Sequence, residues 1–401
     1  MPKRGIVLAL LVSLGFITFL DRLCIAVAGP QMQAELGISP ERWGWILGAF
    51  VLAYGVFEVP TGALGDRLGQ RSVLMRVVVW WSSFTCLTGA VSSFPGLLAT
   101  RFLFGAGEAG AYPNIAGSIA RWFPTTERAR VQGYVWAASR MGGAIAPLLV
   151  VPIQQAYGWR AAFWVFGAIG FAWAAAWWHW YRDSPDGSVG ASQRRHVDVP
   201  WRALLRQRQL WLIVAMYWFY SWGTWFYFSW LHTYLVRGRG FTTGEMAVFS
   251  MLPFAMGAVG NVAGGFLSDA CTRRFGPRHG RRMVSCASLA IGAVLILLTA
   301  SATSKTSVVL MLTFGFGIMD LMLPSAWAVC LDIGGKYAGV VSGAMNTAGQ
   351  LGGFACTVLF GYIVGATGNY NAPLYVIASM VAVSAVLFAG IDASRPLPGN
   401  E

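Results

Sequence analysis

Apolar stretches long enough to cross a lipid bilayer recur twelve times along this chain, and that pattern constrains its fold more than any other feature. They run at about 5–29, 43–64, 73–93, 97–122, 131–153, 159–181, 209–235, 245–267, 283–301, 307–331, 338–364 and 371–391. A helix spanning the roughly 30 Å hydrocarbon core needs about 20 predominantly apolar residues. Composition agrees. Only 11% of the 401 residues are charged, against about 25% in a soluble domain, too few to cover a water-facing surface. The expectation is an all-α membrane protein with twelve transmembrane helices. A soluble enzyme, a disordered chain and a secreted disulfide scaffold all fit poorly.

Lys3 and Arg4 precede the first apolar run, and Ala26-Val27-Ala28 mimics a signal-peptidase site. Asp21 and Arg22 interrupt that run where a signal peptide is wholly apolar, so it reads as the first span. Lysine and arginine counting then sets topology. With twelve spans both termini share a side, and the loops there hold 21 of the 29 Lys and Arg. The opposite loops hold five (Arg42, Arg160, Arg237, Arg239 and Lys305), while Arg22, Arg101 and Arg140 fall inside spans. Cytoplasmic termini in a bacterial inner membrane are therefore expected. The formal charge of +13 needs no nucleic-acid partner. The six cysteines show no metal or redox spacing, and five lie in apolar stretches as small hydrophobes.

The longest polar stretch, 182–208, divides six spans from six. The expected organisation is a bundle over 1–181, a cytoplasmic linker over 182–208 and a second bundle over 209–401. The halves show weak self-similarity. Gly62-x-x-x-Asp66 recurs as Gly265-x-x-x-Asp269, and Gly133, Gly142, Gly143 and Gly158 recur as Gly343, Gly352, Gly353 and Gly368 at an offset of 210. Glycines at matching helix-packing positions are what a duplicated six-helix unit leaves behind.

Between spans 2 and 3 stands Gly62-Ala-Leu-Gly-Asp66-Arg67-Leu-Gly69-Gln-Arg71. It resembles the GxxxDRxGRR loop of the major facilitator superfamily, with Gln70 in place of one arginine. The resemblance implies the major facilitator fold, two pseudo-symmetric six-helix bundles, with Gly62, Asp66, Arg67, Gly69, Arg71 and the repeat's Asp269 forming a cytoplasmic gate. A narrower resemblance rests on Asp21-Arg22, on Tyr54, on Arg101-Phe-Leu-Phe-Gly105-Ala-Gly107-Glu108-Ala-Gly110-Ala-Tyr-Pro113-Asn and on Asn346-Thr-Ala-Gly349-Gln-Leu-Gly352-Gly353. These are similar to the anion:cation symporter branch, which includes bacterial sugar-acid carriers and animal vesicular glutamate and sialic acid carriers. By that resemblance Tyr54 and Asn346 join the candidate substrate contacts.

Ionisable groups inside spans are informative on their own, since each costs about 2.5–3.5 kcal/mol at mid-helix on insertion scales. Asp21 lies roughly 24 Å of helix rise from the cytoplasmic end of span 1. Arg101 sits near the outer end of span 4, at similar depth, and Glu108 two turns further in. Burial opposes ionisation of a carboxylate and a neighbouring guanidinium favours it. A carboxylate held between those effects can exchange a proton. Asp21 and Glu108 are the expected proton carriers, with Arg22 and Arg101 as substrate or gating partners; a static ion-pair network joining spans 1 and 4 is the structural alternative. Arg140 in span 5 either binds a substrate carboxylate or pairs with Glu58, Asp320 or another acid. Asp320 in span 10 contacts substrate hydroxyls or pairs with Arg140. Glu58 reads as a gate residue, and His232 as an interfacial one. The many aromatics of span 7 read mostly as lipid-facing packing and an interfacial belt.

No Walker sequence, metal-ligand spacing or catalytic constellation is present, so neither an enzyme nor a bound cofactor is expected. The sequence reading is a monomeric, proton-coupled symporter of an organic anion, a sugar acid or similar monocarboxylate. Sodium-coupled or facilitative anion movement and a transporter-fold ligand sensor are its alternatives.

Overall fold

The computed structural model describes residues 4–183 and 204–394, without the side chains of Ala63, Asp66, Thr125, Thr126, Ala129, Arg130, Lys336 and Ala338. Most of the expected linker, and any role for Asp66's carboxylate, therefore lie outside the described residues.

The described residues are almost wholly helical: α1 (Arg4–Leu36), α2 (Pro40–Leu68), α3 (Gln70–Ala90), α4 (Phe94–Glu108), α5 (Ala111–Trp122), α6 (Thr125–Tyr157), α7 (Trp159–Trp180), α8 (Arg208–Ser229), α9 (Thr243–Ser301), α10 (Lys305–Asp320), α11 (Met322–Gly334), α12 (Ala338–Thr367) and α13 (Ala372–Ala389). Nine helical stretches among them are long and apolar enough to cross a membrane. The 59 residues of α9 make two crossings, split at Gly276, whose φ of 77° leaves the helical region. The other two crossings are the α4–α5 pair and α8, whose tryptophans and tyrosines lower its hydropathy. The sum is the expected twelve.

Local chemistry sets the ends. Ser39 and Ser93 cap α2 and α4 by accepting from the backbone N–H groups of Arg42 and Gly96, satisfying donors that a helix start leaves open. Helix α1 runs seven residues past its expected end because Glu35 holds it there, accepting from the Trp159 indole at 2.8 Å and pairing with Arg160 at the start of α7.

Contacts divide the chain into two compact units, Met1–Gln193 with Thr242–Met251, and Arg194–Phe241 with Leu252–Glu401. The internal repeat is visible in how each packs. A Cβ on Gly142 would lie 2.3 Å from the Phe16 carbonyl oxygen, and one on Gly352 would lie 2.2 Å from that of Trp218. Thus α6 meets α1 in one unit as α12 meets α8 in the other, backbone against backbone. Gly62 and Gly265 both face a proline, Pro113 at 2.9 Å and Pro324 at 3.9 Å. Gly158 and Gly368 end α6 and α12 with φ of 81° and 64°. Gly133 and Gly343 match each other differently from the expectation: neither has anything within 4 Å, so neither is a packing position.

The aromatic run of α8 corrects the lipid-facing reading. Tyr217, Tyr220, Trp222, Trp225, Phe226, Tyr227 and Trp230 are all buried. For two of them the glycines of α12 make the room: Cβ atoms on Gly349 and Gly353 would collide with the rings of Tyr217 and Trp225, at 2.6 and 2.1 Å. His232 is likewise fully buried rather than interfacial. Beside it, Trp230 stacks on Phe360 and donates to the Thr357 carbonyl, folding this end of the span onto α12.

Candidate functional site

The site in the first unit is built where span 4 breaks. Helix α4 ends at Glu108, and Ala109–Gly110 separate it from α5. In the second unit α10 ends at Asp320, and Leu321 separates it from α11. Each broken span therefore carries a buried acid as the last residue of its first half. Close backbone contacts precede both breaks: a Cβ on Gly105 would lie 2.4 Å from the Phe50 carbonyl oxygen, and one on Gly317 would lie 3.0 Å from that of Met256. Interrupted helices at corresponding positions of two repeats are a pointer to the binding region of a transporter fold.

A carboxylate at a helix C-terminus opposes the helix dipole, so Glu108 needs a cation. Arg22 of α1 supplies it. Both Nε, at 3.0 Å, and Nη2 donate to Glu108 Oε1, and the side chains are 9% and 1% exposed. Glu108 Oε2 makes no hydrogen bond. The guanidinium lies against the rings of Phe19, Phe50 and Tyr54, with centroids at 5.0, 5.2 and 4.9 Å. Arg101, 2% exposed, lies against Phe50 and Phe104 at 5.0 and 4.3 Å. Phe50 thus touches both arginines.

Asp21 occupies the same pocket, with Glu108 and Arg101 as charged neighbours, but neither of its oxygens makes a hydrogen bond of normal geometry. The Trp81 indole lies beside it, also buried and without a well-formed hydrogen bond. The sequence placed Asp21 level with Arg101; the ion pair that forms is Arg22 with Glu108.

One turn after Glu108, Tyr112 extends the site onto α6. Its hydroxyl meets the Ser139 hydroxyl at 2.8 Å, and its ring stacks on Trp136 with centroids 4.6 Å apart and planes within 7°. Arg140 follows Ser139 and shares a helix face with Trp136; it is half-buried. Asp320 accepts from the Tyr220 hydroxyl at 3.0 Å and from Asn261 at 3.5 Å. Asn346 is half-buried on α12, one turn before Gly349. Glu58 is half-buried near Tyr54.

The loop between α2 and α3 folds around an acid that sequence reasoning missed. Asp183 accepts from the backbone N–H of Arg71 at 3.1 Å and pairs with Arg121 at 3.4 Å. It supplies the cap that α3 lacks, because the residue before the helix is Gly69. That residue must be glycine: its φ is 85° and a Cβ would lie 2.5 Å from the Asp183 carboxylate. The Arg71 side chain donates to the Trp178 carbonyl at 2.6 Å, and Arg67 is exposed. In the second unit Asp269 pairs with Arg281 at 3.1 Å, which also reaches Asp332 at 3.2 Å. Tyr112, Phe50 and Ser139 were legible in principle, one turn or one residue from Glu108, Tyr54 and Arg140, all already singled out. Asn261 and Asp183 carried no such signal.

The Major Facilitator Superfamily profile matches residues 11–357. A Cupriavidus necator protein named "Probable sulfoacetate transporter" is 34% identical over 399 residues, covering 96% of this chain and 92% of the relative. The hexuronate transporter of Bacillus subtilis is 29% identical over 99% of this chain and 96% of its own length. A "Probable galactarate/D-glucarate transporter" of the same organism is 27% identical, with coverage of 96% and 90%. Among solved structures, a bacterial homolog of the human lysosomal transporter Spinster superposes with a TM-score of 0.84 at 19% identity, covering 100% of this chain and 99% of that one; at that identity the likeness establishes the fold alone. With a profile spanning most of the chain, the repeat in its packing and the motif between α2 and α3, this multi-pass membrane protein belongs to the major facilitator superfamily and resembles its anion:cation symporter branch.

Proposed function

We propose that this protein is a secondary active transporter that carries a small organic acid anion together with protons by alternating access, in the bacterial inner membrane with both termini cytoplasmic. The observation that carries the reading is the Arg22–Glu108 pair: one guanidinium gives two hydrogen bonds to a single oxygen of a carboxylate buried among aromatic rings. An entering substrate carboxylate competes for that guanidinium. Glu108, once displaced, is a buried carboxylate without its cation, and taking up a proton removes the cost of its charge. Substrate and proton thereby bind together and leave together. Asp21, in the same pocket, provides a second protonatable carboxylate, and Arg101 a charge that holds the set together. The named substrates of the relatives, sulfoacetate, hexuronate and glucarate, are all small organic acids and support the substrate class.

Uptake into proteoliposomes under an inward proton gradient tests this. Labelled sugar acids and small carboxylates are offered to wild type and to Glu108→Gln. Accumulation that a protonophore abolishes and the substitution eliminates is the expected result. Accumulation that follows a sodium gradient, or downhill movement alone, refutes proton coupling. Binding without movement under any gradient refutes transport and leaves a sensor.

A further inference from the structure

Five buried polar atoms of the first unit share one pocket and make no well-formed hydrogen bond: both oxygens of Asp21, Oε2 of Glu108, Nε of Arg101 and the indole N–H of Trp81. Orphaned polar groups gathered in one place need a reason. Asp21, Glu108 and Arg101 have one in the coupling described above; Trp81 of α3 does not. Helix α3 packs against α7, and α7 against α1, which carries Asp21. Gly170 of α7 stands at the α3 contact, where a Cβ would lie 2.0 Å from the Ser82 Oγ and 3.6 Å from the Trp81 Nε1. The missing side chain lets α3 approach until the indole reaches past α7 to the carboxylate. Trp81 is fully buried there and Asp21 is 1% exposed. Asp21 also faces Cys24 of its own helix and Cys86 of α3, but a thiol is only a weak donor. The indole is the strong neutral donor among these neighbours.

We propose that Trp81 is a positioning residue for proton coupling: its indole N–H closes onto Asp21 when that carboxylate is ionised, and so allows Asp21 to give up its proton inside a buried pocket. The inference rests on the proton-coupled transport reading above and adds to it a residue that carries no charge. Tryptophan donates one hydrogen bond, accepts none and does not titrate, so it serves the ionised acid and offers nothing to the protonated one. A buried carboxylate without a donor is costly to ionise and holds its proton. A carrier whose acid holds its proton exchanges substrate across the membrane but does not couple that movement to a gradient. The proton passes from Asp21 to water on the side to which the site opens, and the indole keeps its own hydrogen. Hydrogen bonds of this kind are often long or poorly aligned at rest and tighten during turnover, as the loose contact between Asp21 and Trp81 requires.

Trp81→Phe, which removes the N–H and keeps a ring beside Gly170, tests the proposal in two proteoliposome assays. Labelled sulfoacetate, D-glucuronate and D-glucarate are the probes. One assay measures uptake driven by an inward proton gradient; the other measures exchange, at equal pH, against the same compound trapped inside. Net proton-driven uptake is expected to fall at least about tenfold, the worth of one hydrogen bond to a charged group, while exchange stays within about twofold of wild type. In an Asp21→Asn background, where the carboxylate is already gone, adding Trp81→Phe is expected to leave the exchange rate unchanged. Replacing Trp81 by β-(3-benzothienyl)alanine, which keeps both rings and lacks the N–H, is expected to give the same split and remains informative should Trp81→Phe fail to fold. Equal loss of uptake and exchange makes Trp81 a packing residue and overturns the proposal. Wild-type uptake without the N–H, or a further loss of exchange in the Asp21→Asn background, also overturns it. Failure of wild type to accumulate any probe under the proton gradient overturns instead the coupling reading on which it rests.

Discussion

The Arg22–Glu108 pair makes a quantitative demand on stability. With side chains 9% and 1% exposed, it is not weakened by solvent as a surface pair is. Removing one member of a buried pair strands the other charge and costs about 3–5 kcal/mol. Glu108→Gln and Arg22→Gln should each lose that amount. A body of 150–250 residues loses about 2–4 °C of Tm per kcal/mol, so each variant should melt roughly 6–20 °C lower. Removing both charges together strands neither, and the double variant should be about 2–3 kcal/mol more stable than the summed single losses imply. Thermal unfolding of the purified protein in detergent, followed by a thiol-reactive dye, provides the readout. Cys24, Cys330 and Cys356 are at most 1% exposed and become reactive as the helices separate. Strict additivity, or a single-variant loss below about 1 kcal/mol, would refute the claim that this pair is a coupled, desolvated unit.

Three further expectations follow from packing. Gly142→Ala and Gly352→Ala should each lower Tm and folded yield, because the new Cβ lies within 2.3 Å of a facing carbonyl oxygen; Gly133→Ala and Gly343→Ala, with open space around them, should be neutral or raise stability by up to about 1 kcal/mol. Tyr220→Phe should cost about 1–3 kcal/mol by leaving a buried oxygen of Asp320 without its donor, read by the same melt. Asp183→Ala removes the cap of α3 and the partner of Arg121; being partly exposed, Asp183 should contribute about 1 kcal/mol, visible as faster proteolysis near the loop between α2 and α3.

Much of this architecture was legible because a bilayer leaves the backbone few options. Every buried N–H and C=O must be satisfied within the segment, so twelve apolar stretches become twelve helical crossings. The glycine repeat was legible for the same reason: close helix contacts need small residues, and Gly142 and Gly352 meet equivalent carbonyl oxygens in their two units. The buried charges announced themselves by their cost, which is why Asp21, Arg22, Arg101 and Glu108 stood out before any coordinates.

Partner choice was not legible. Periodicity fixes which helix face a residue occupies, but not which neighbouring face it meets or at what height. Depth along the bilayer set Asp21 level with Arg101, whereas the break at Ala109–Gly110 brings Glu108 onto Arg22. The burial of the α8 aromatics and of His232 was equally hidden, since tryptophan, tyrosine and histidine suit an interface and a tightly packed core alike. For Tyr217 and Trp225 the place was decided by Gly349 and Gly353 of α12, more than a hundred residues away in the chain. Sequence alone determined that this chain spans the membrane, repeats itself and buries charge at a definite depth, because those properties follow from local composition. Only the tertiary structure decided which charge meets which, because that depends on how separate helices rotate and break to let their backbones touch.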